Sequence, residues 1–155
     1  NQTVKAHQDQ ARLRNISLNV QLEEDIDIVV DASAFSIILS NFVTNALKHS
    51  PSNSEILIKN DLEDDFLTTL SVIDHGKGIP KKYRDRVFER FFRVDKGRAK
   101  HSGGTGLGLA ISKHLARLMG YEVGMKPNKP NGSRFWISVN YASSEEEKSL
   151  SPELA

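Results

Sequence analysis

Apolar positions along the chain change period several times, and each change predicts an element. In "ISLNVQL" (Ile16–Leu22), Ile16, Leu18, Val20 and Leu22 alternate with Ser17, Asn19 and Gln21. A period of two predicts a half-buried strand. "IDIVVD" (Ile26–Asp31) predicts a short second strand. The period then lengthens. In "DASAFSIILSNFVTNALKHSP", Phe35, Ile38, Leu39, Phe42, Val43, Ala46 and Leu47 form one stripe of a long helix. Asp31 or Ser33 can cap its start, and Pro51 biases Ser50 out of helical backbone. Upstream, the polar run "TVKAHQDQARLRN" reads as a short exposed helix. "EILIKND" and "FLTTLSVID" predict a hairpin around the acidic turn "LEDD". "YEVGMKP" and "SRFWISVNY" predict another around "NKPNG". Leu107, Ile111, Leu115 and Leu118 recur at helical spacing and predict a further helix, beginning near Thr105. The tail "ASSEEEKSLSPELA" has few apolar anchors, so the expected division is a domain over 1–142 and a disordered acidic tail over 143–155.

Composition narrows the class. Hydrophobic residues make up 38% and charged residues 26% of 155 positions, which suits one globular domain. A net charge of +1 gives no reason to expect nucleic acid or a membrane surface as partner. Cysteine is absent, which excludes disulfides, thiolate metal sites and cysteine nucleophiles. No apolar run approaches the roughly 20 residues that span a bilayer, and no signal peptide is seen.

Three segments carry chemistry. The first is "SGGTGLGLAISKHLARLMG", where Gly103, Gly104, Gly106 and Gly108 crowd the mouth of a helix. Glycine costs about 1 kcal/mol against alanine inside a helix, so backbone there must bend or approach something closely. Helix N-termini offer unpaired N–H groups and a positive dipole end, and a phosphate is their natural guest. The second lies on the long helix. Asn41, Asn45 and Lys48 fall at i, i+4 and i+7, on a polar stripe bordering the apolar one. Such a stripe fits a solvated face. It also fits an amide ligand for Mg²⁺ beside a point charge for phosphate. The third is "SVIDHGKGIP", a strand ending in Asp74 with Gly76 and Gly78 directly after it. An ordinary Asp-x-Gly turn accounts for it, and so does a carboxylate that accepts a hydrogen bond from the amino group of adenine. Between these segments, "RVFERFFRVDKGRAKHSGG" begins as an amphipathic turn with Val87, Phe88, Phe91 and Phe92. It continues as a basic loop with Arg93, Lys96, Arg98 and Lys100, readable as a solvated loop or a mobile lid over phosphates. Other phosphate-binding schemes fit poorly: there is no Gly-Lys-Ser/Thr of a P-loop, no dinucleotide glycine spacing and no protein-kinase signature.

"NFVTNALKHS", "DHGKGIP", "FERFF" and "GGTGLGLAI" stand in the order and spacing of the N, G1, F and G2 boxes of bacterial sensor histidine kinases. "GSRFWI" matches that family's closing Gly-x-x-Phe strand. From about Ala6 to Tyr141 the chain resembles their catalytic ATP-binding domain. The resemblance implies the Bergerat fold: an α/β (α+β) two-layer sandwich, a mixed sheet covered on one face by helices, with a mobile ATP lid.

The same resemblance implies roles. Asn45 corresponds to the Mg²⁺ ligand, with Asn41 beside it. Lys48 corresponds to a phosphate contact, His49 to a position near the phosphates or ribose, and Arg93 to a lid contact with the γ-phosphate. Asp74 corresponds to the adenine reader, in a pocket with Gly76, Gly78 and Ile79. Gly104, Thr105, Gly106, Leu107 and Gly108 correspond to the phosphate cradle. The catalytic set is then Asn41, Asn45, Lys48 and Arg93. Hydrolysing ATPases of this fold place a glutamate where this chain has Asn41, and an amide is no general base near neutral pH. That favours transfer of the γ-phosphoryl group of Mg-ATP to a histidine over hydrolysis. None of His7, His49, His75, His101 and His114 has the acidic neighbour and nearby proline of the family's acceptor histidine. The implied partners are therefore ATP, a phosphoacceptor and dimerisation domain outside this chain and, through it, a response regulator, with no nucleic acid. The domain alone is expected to be a monomer, in the cytoplasm, part of a parent kinase that an inner-membrane anchor can hold. A hydrolysing ATPase, or a nucleotide-binding regulatory module without transferase activity, are the alternatives.

Overall fold

A computed structural model describes residues 2–22, 26–95 and 104–143. The elements in chain order are α1 (Gln2–Leu13), β1 (Ser17–Gln21), β2 (Ile26–Ile28), α2 (Ala32–His49), β3 (Glu55–Leu62) and β4 (Leu67–Ile73). A single 3₁₀ turn (Lys81–Tyr83) follows, then α3 (Gly108–Leu118), β5 (Glu122–Pro127) and β6 (Ser133–Ser143). The strands form one mixed sheet in the order β1-β3-β4-β6-β2, with β5 also paired to β6. Among the described strands only β1 and β3 run parallel, and the chain crosses between them through β2 and α2.

Strand periodicity decides which face is covered. The register sets Leu18 beside Ile56, Ile58 beside Val72, and Val72 beside Phe135. These residues, with Ile137 and Val139, are buried against Ile38, Phe42, Val43, Ala46 and Leu47 of α2. The Phe42 and Phe135 rings lie 5.7 Å apart across that layer boundary. On the other face Asp61 accepts from Lys59 Nζ at 2.8 Å and Arg134 Nη2 at 2.5 Å, and Arg134 Nε donates to Ser71 Oγ at 2.9 Å. One apolar face under helices and one polar face that carries these charged pairs make the two-layer sandwich.

The predicted caps of α2 are realised: Asp31 accepts from the Ala34 N–H at 2.8 Å, and Ser50 has extended backbone before Pro51. Three readings of the pattern need correction. First, α1 is helical but docked, because Val4 and Ala11 are buried and His7 Nε2 lies 2.9 Å from Ser40 Oγ of α2. Its far end also reaches α2, where Arg14 donates to the Leu47 carbonyl. Second, in β1 only Ile16 and Leu18 of the alternating set are buried, while Val20 and Leu22 stay exposed on this edge strand. Third, α3 begins at Gly108, and only part of the stripe that predicted it faces the core: Leu115 packs there and Leu107 is half-buried. Ile111 and Leu118 are exposed, whereas Ser112 and Ala116 are buried with Leu109, Leu115 and Met119 packed on the core.

Candidate nucleotide site

The β4–β6 ladder ends at Asp74, whose N–H donates to the Ser133 carbonyl at 2.9 Å. Its carboxylate is 1% exposed. Oδ1 accepts from the N–H groups of Gly76 at 2.8 Å and Ser133 at 3.3 Å. Oδ2 has no hydrogen bond among the described residues. Burial raises the Asp74 pKa above the ordinary carboxylate value, and the two backbone N–H groups work against that rise. The local backbone makes this burial feasible. A Cβ on Gly76 would overlap the His49 carbonyl, and one on Gly132 would overlap the carbonyl oxygen of Asp74 itself. Gly132 also sits at φ +116°, open to glycine almost alone. Ile79, partly buried against the core, and Gly78 continue the wall of the same loop.

The C-terminal half of α2 supplies the second wall. Asn41 and Asn45 are half-buried at the edge of its apolar stripe, and Lys48 is exposed one turn on. Asn41 Nδ2 donates to the Gly108 carbonyl at 2.9 Å and to Ser112 Oγ at 3.1 Å, tying α2 to the start of α3. The Asn45 amide has no hydrogen bond to the rest of the described chain. Lys48 is pulled below the usual amine range, first by partial burial and then by the like charge of Arg93. Loss of solvent, then the Lys48 charge, holds His49 below the ordinary imidazole value. The fold thus brings Arg93, 45 residues downstream, within electrostatic reach of Lys48.

The third wall is the approach to α3. Gly104–Leu107 forms a non-helical lead-in, and Gly106 takes φ +72° with its would-be Cβ against the Phe91 backbone. The Phe91 N–H donates to the Gly106 carbonyl at 2.8 Å, which fixes this lead-in to the segment before it. Leu107 stands at the N-cap of α3 and makes no side-chain cap hydrogen bond, so among the described residues the first N–H groups of α3 lack a side-chain acceptor. The expected lid, Arg93 to Gly104, lies mostly outside the described residues, as do Lys96, Arg98, Lys100 and the tail beyond Ser143.

A buried carboxylate, an amide-lined helix and an uncapped glycine-rich helix start meet at one end of a helix-covered mixed sheet. The histidine kinase-, DNA gyrase B- and HSP90-like ATPase family model matches residues 30–143, which span all three walls. The chain belongs to that family. Within it, the chain resembles the catalytic domains of sensor histidine kinases. It is 36% identical over 126 residues to the sensor histidine kinase WalK of Bacillus subtilis, covering 81% of this chain and 21% of that protein. It is 34% identical over 138 residues to the sensor-like histidine kinase SenX3 of Mycolicibacterium smegmatis, covering 89% of this chain and 36% of that protein. The chain therefore spans between a fifth and two-fifths of these relatives' length. Among solved structures, the mycobacterial sensor histidine kinase MprB superposes with a TM-score of 0.76 at 27% identity over 90% of this chain and 93% of that one. Full-length ShkA in complex with AMPPNP gives 0.79 at 28% identity, covering 92% of this chain and 29% of that one. The described residues contain no helix long and apolar enough to cross a membrane.

This histidine kinase-type ATPase domain also places, beside the candidate site residues, side chains that the sequence did not single out. Ser133 and Asn128 reach Asp74 from the β5–β6 turn, and Ser112 supports Asn41 from α3. The motif GSRFWI and the turn NKPNG marked the turn, but nothing local says that it closes on a residue more than 50 positions away.

Proposed function

We propose that this domain binds Mg-ATP and donates its γ-phosphoryl group to a histidine on a phosphoacceptor domain outside this chain, as the catalytic part of a two-component sensor kinase. The observation that carries the reading is the Asp74 carboxylate, buried, engaged at one oxygen and open at the other. An adenine amino group donates to Oδ2, in a wall too tight for side chains at Gly76 and Gly132. Lys48 and Arg93 meet the phosphates, whose negative charge offsets the repulsion between the two cations. Backbone N–H groups from Gly104 to Gly108 and the dipole of α3 hold the remaining phosphate oxygens.

The donor set suits Mg²⁺. Asn45 offers an amide with no hydrogen bond to the described chain, and Asn41 commits its Nδ2 to α3. Hard neutral oxygens beside phosphates and water are what this ion takes. When bound, Mg²⁺ would neutralise charge on the transferring phosphates. The chain's own contribution is position: Lys48 and Arg93 hold the terminal phosphate, and the Asn41 bridge keeps α3 in place beside it. Asn41 cannot take a proton from water, which supports transfer over hydrolysis. Titration calorimetry with ATP, ADP and GTP tests the binding step. Adenine nucleotides are expected to bind with Mg²⁺ present and GTP far more weakly; equal binding of ATP and GTP would remove Asp74 as base reader.

A further inference from the structure

Beyond its ladder bond to Ser133, Asp74 is gripped from a second direction. Its backbone carbonyl lies past the last β4–β6 pair, where Gly132 crosses it and donates nothing to it. The acceptor is taken instead by Asn128 Nδ2, at 3.0 Å. The same Nδ2 lies 3.3 Å from His75 Nδ1 and 3.4 Å from the Asn131 carbonyl. Two carbonyl oxygens face it, so the amide must present its NH₂ there; the flipped orientation would set oxygen against both. Asn128 is itself fixed, because its N–H donates to the Gly132 carbonyl at 3.0 Å. Gly132 in turn packs its carbonyl against Gly78. One side chain thus clasps the β5–β6 turn to the Asp74–His75 peptide.

We infer that Asn128 is a positioning residue for base recognition: its amide sets the direction in which the Asp74 carboxylate faces the adenine amino group. This rests on the reading of Asp74 given above. Without the Asn128 donor, the Asp74 carbonyl is a partly buried acceptor with no partner, and the peptide can turn to find one. Any such turn tilts Oδ2 away from its line to the base, while Lys48, Arg93 and the start of α3 are untouched.

The experiment uses the full chain, Mg²⁺ and two probes: ATP, and purine riboside 5′-triphosphate, which lacks only the 6-amino group. The wild-type chain is expected to prefer ATP. In Asn128→Ala, ATP should bind roughly five- to tenfold more weakly, the loss equivalent to about one hydrogen bond. Affinity for purine riboside triphosphate should stay within about twofold, so the preference for ATP shrinks. Asn128→Asp keeps the size and turn habit of the side chain but sets oxygen against the two carbonyls, and should lose at least as much of the preference for ATP as the alanine variant; it covers the case in which loss of side-chain bulk disturbs the turn. An equal loss for both probes in both variants would mean that the clasp merely supports the fold, and the proposal falls. Unchanged ATP preference in folded variants would overturn it too. A wild-type chain that binds both probes equally would instead remove Asp74 as base reader, and the proposal with it.

Discussion

Asn41 Nδ2 and Ser112 Oγ stand 3.1 Å apart and join the two helices that flank the candidate phosphate site. Ser112 is fully buried and also donates to the Gly108 carbonyl at 2.9 Å, so it fills the acceptor and donor needs of one small contact. Ser112→Ala removes both bonds and leaves the Asn41 amide with one partner. A cost of about 1–2 kcal/mol is expected, within the range for a buried hydrogen bond left unmade. The thermal midpoint should fall by several degrees, and triphosphate affinity should drop more than adenosine affinity because α3 is released at its phosphate end. If adenosine and ATP weaken alike, the bridge supports the fold without aiming the helix.

Asp74→Asn should separate stability from binding. Burial raises the Asp74 pKa, so between the ordinary carboxylate value and the raised one the folded chain holds a proton that the unfolded chain has lost. Stability of the nucleotide-free domain therefore falls as pH rises through that window, and the full cost of burying the charge is present above it. An asparagine has no such charge, and its Oδ1 can still accept from Gly76 and Ser133. At neutral pH the free variant should be at least as stable as the wild type. Its NH₂ would face the adenine amino group, donor to donor, and ATP binding should weaken by roughly 1.5–3 kcal/mol, as for a lost charged hydrogen bond. Melting curves without nucleotide and an ATP titration check both halves. A variant that melts far below the wild type would mean that the carboxylate chiefly anchors its neighbours.

Asn45→Ala should leave the fold intact and abolish the effect of Mg²⁺ on nucleotide binding. The side chain makes no hydrogen bond within the described chain, so little stability depends on it. Ordinary circular dichroism together with equal ATP affinity in Mg²⁺ and in chelator is the expected pair of results. A strong Mg²⁺ dependence in the variant would move the ion's ligand elsewhere.

Much of this arrangement was legible in the sequence because it is local. The polar stripe of α2, the strand-end Asp74 and the glycines before α3 are all set by spacing within one element. What failed was non-local or small. Hydropathy favoured Ile111 and Leu118 as part of the inner stripe of α3, yet both are exposed and α3 is tied to α2 through Gly108 and Ser112. Close helix packing selects small residues and a shared hydroxyl, which a count of apolar positions cannot register. The Asn128–Asp74 clasp depends on the turn between β5 and β6 folding back on the end of β4, and such pairing leaves no periodic trace.

The proposed transfer of phosphoryl from ATP to a histidine is met most directly by one measurement. The full chain is incubated with Mg²⁺ and γ-labelled ATP, alone and with a separately prepared histidine-bearing dimerisation domain of a sensor kinase parent. Label should appear on the added domain as acid-labile, base-stable phosphohistidine. Phosphate release by the chain alone should stay near background, because Asn41 offers no base for water. Multiple turnovers of phosphate release without acceptor, and no label on the histidine, would contradict the account and return this domain to the hydrolysing ATPases.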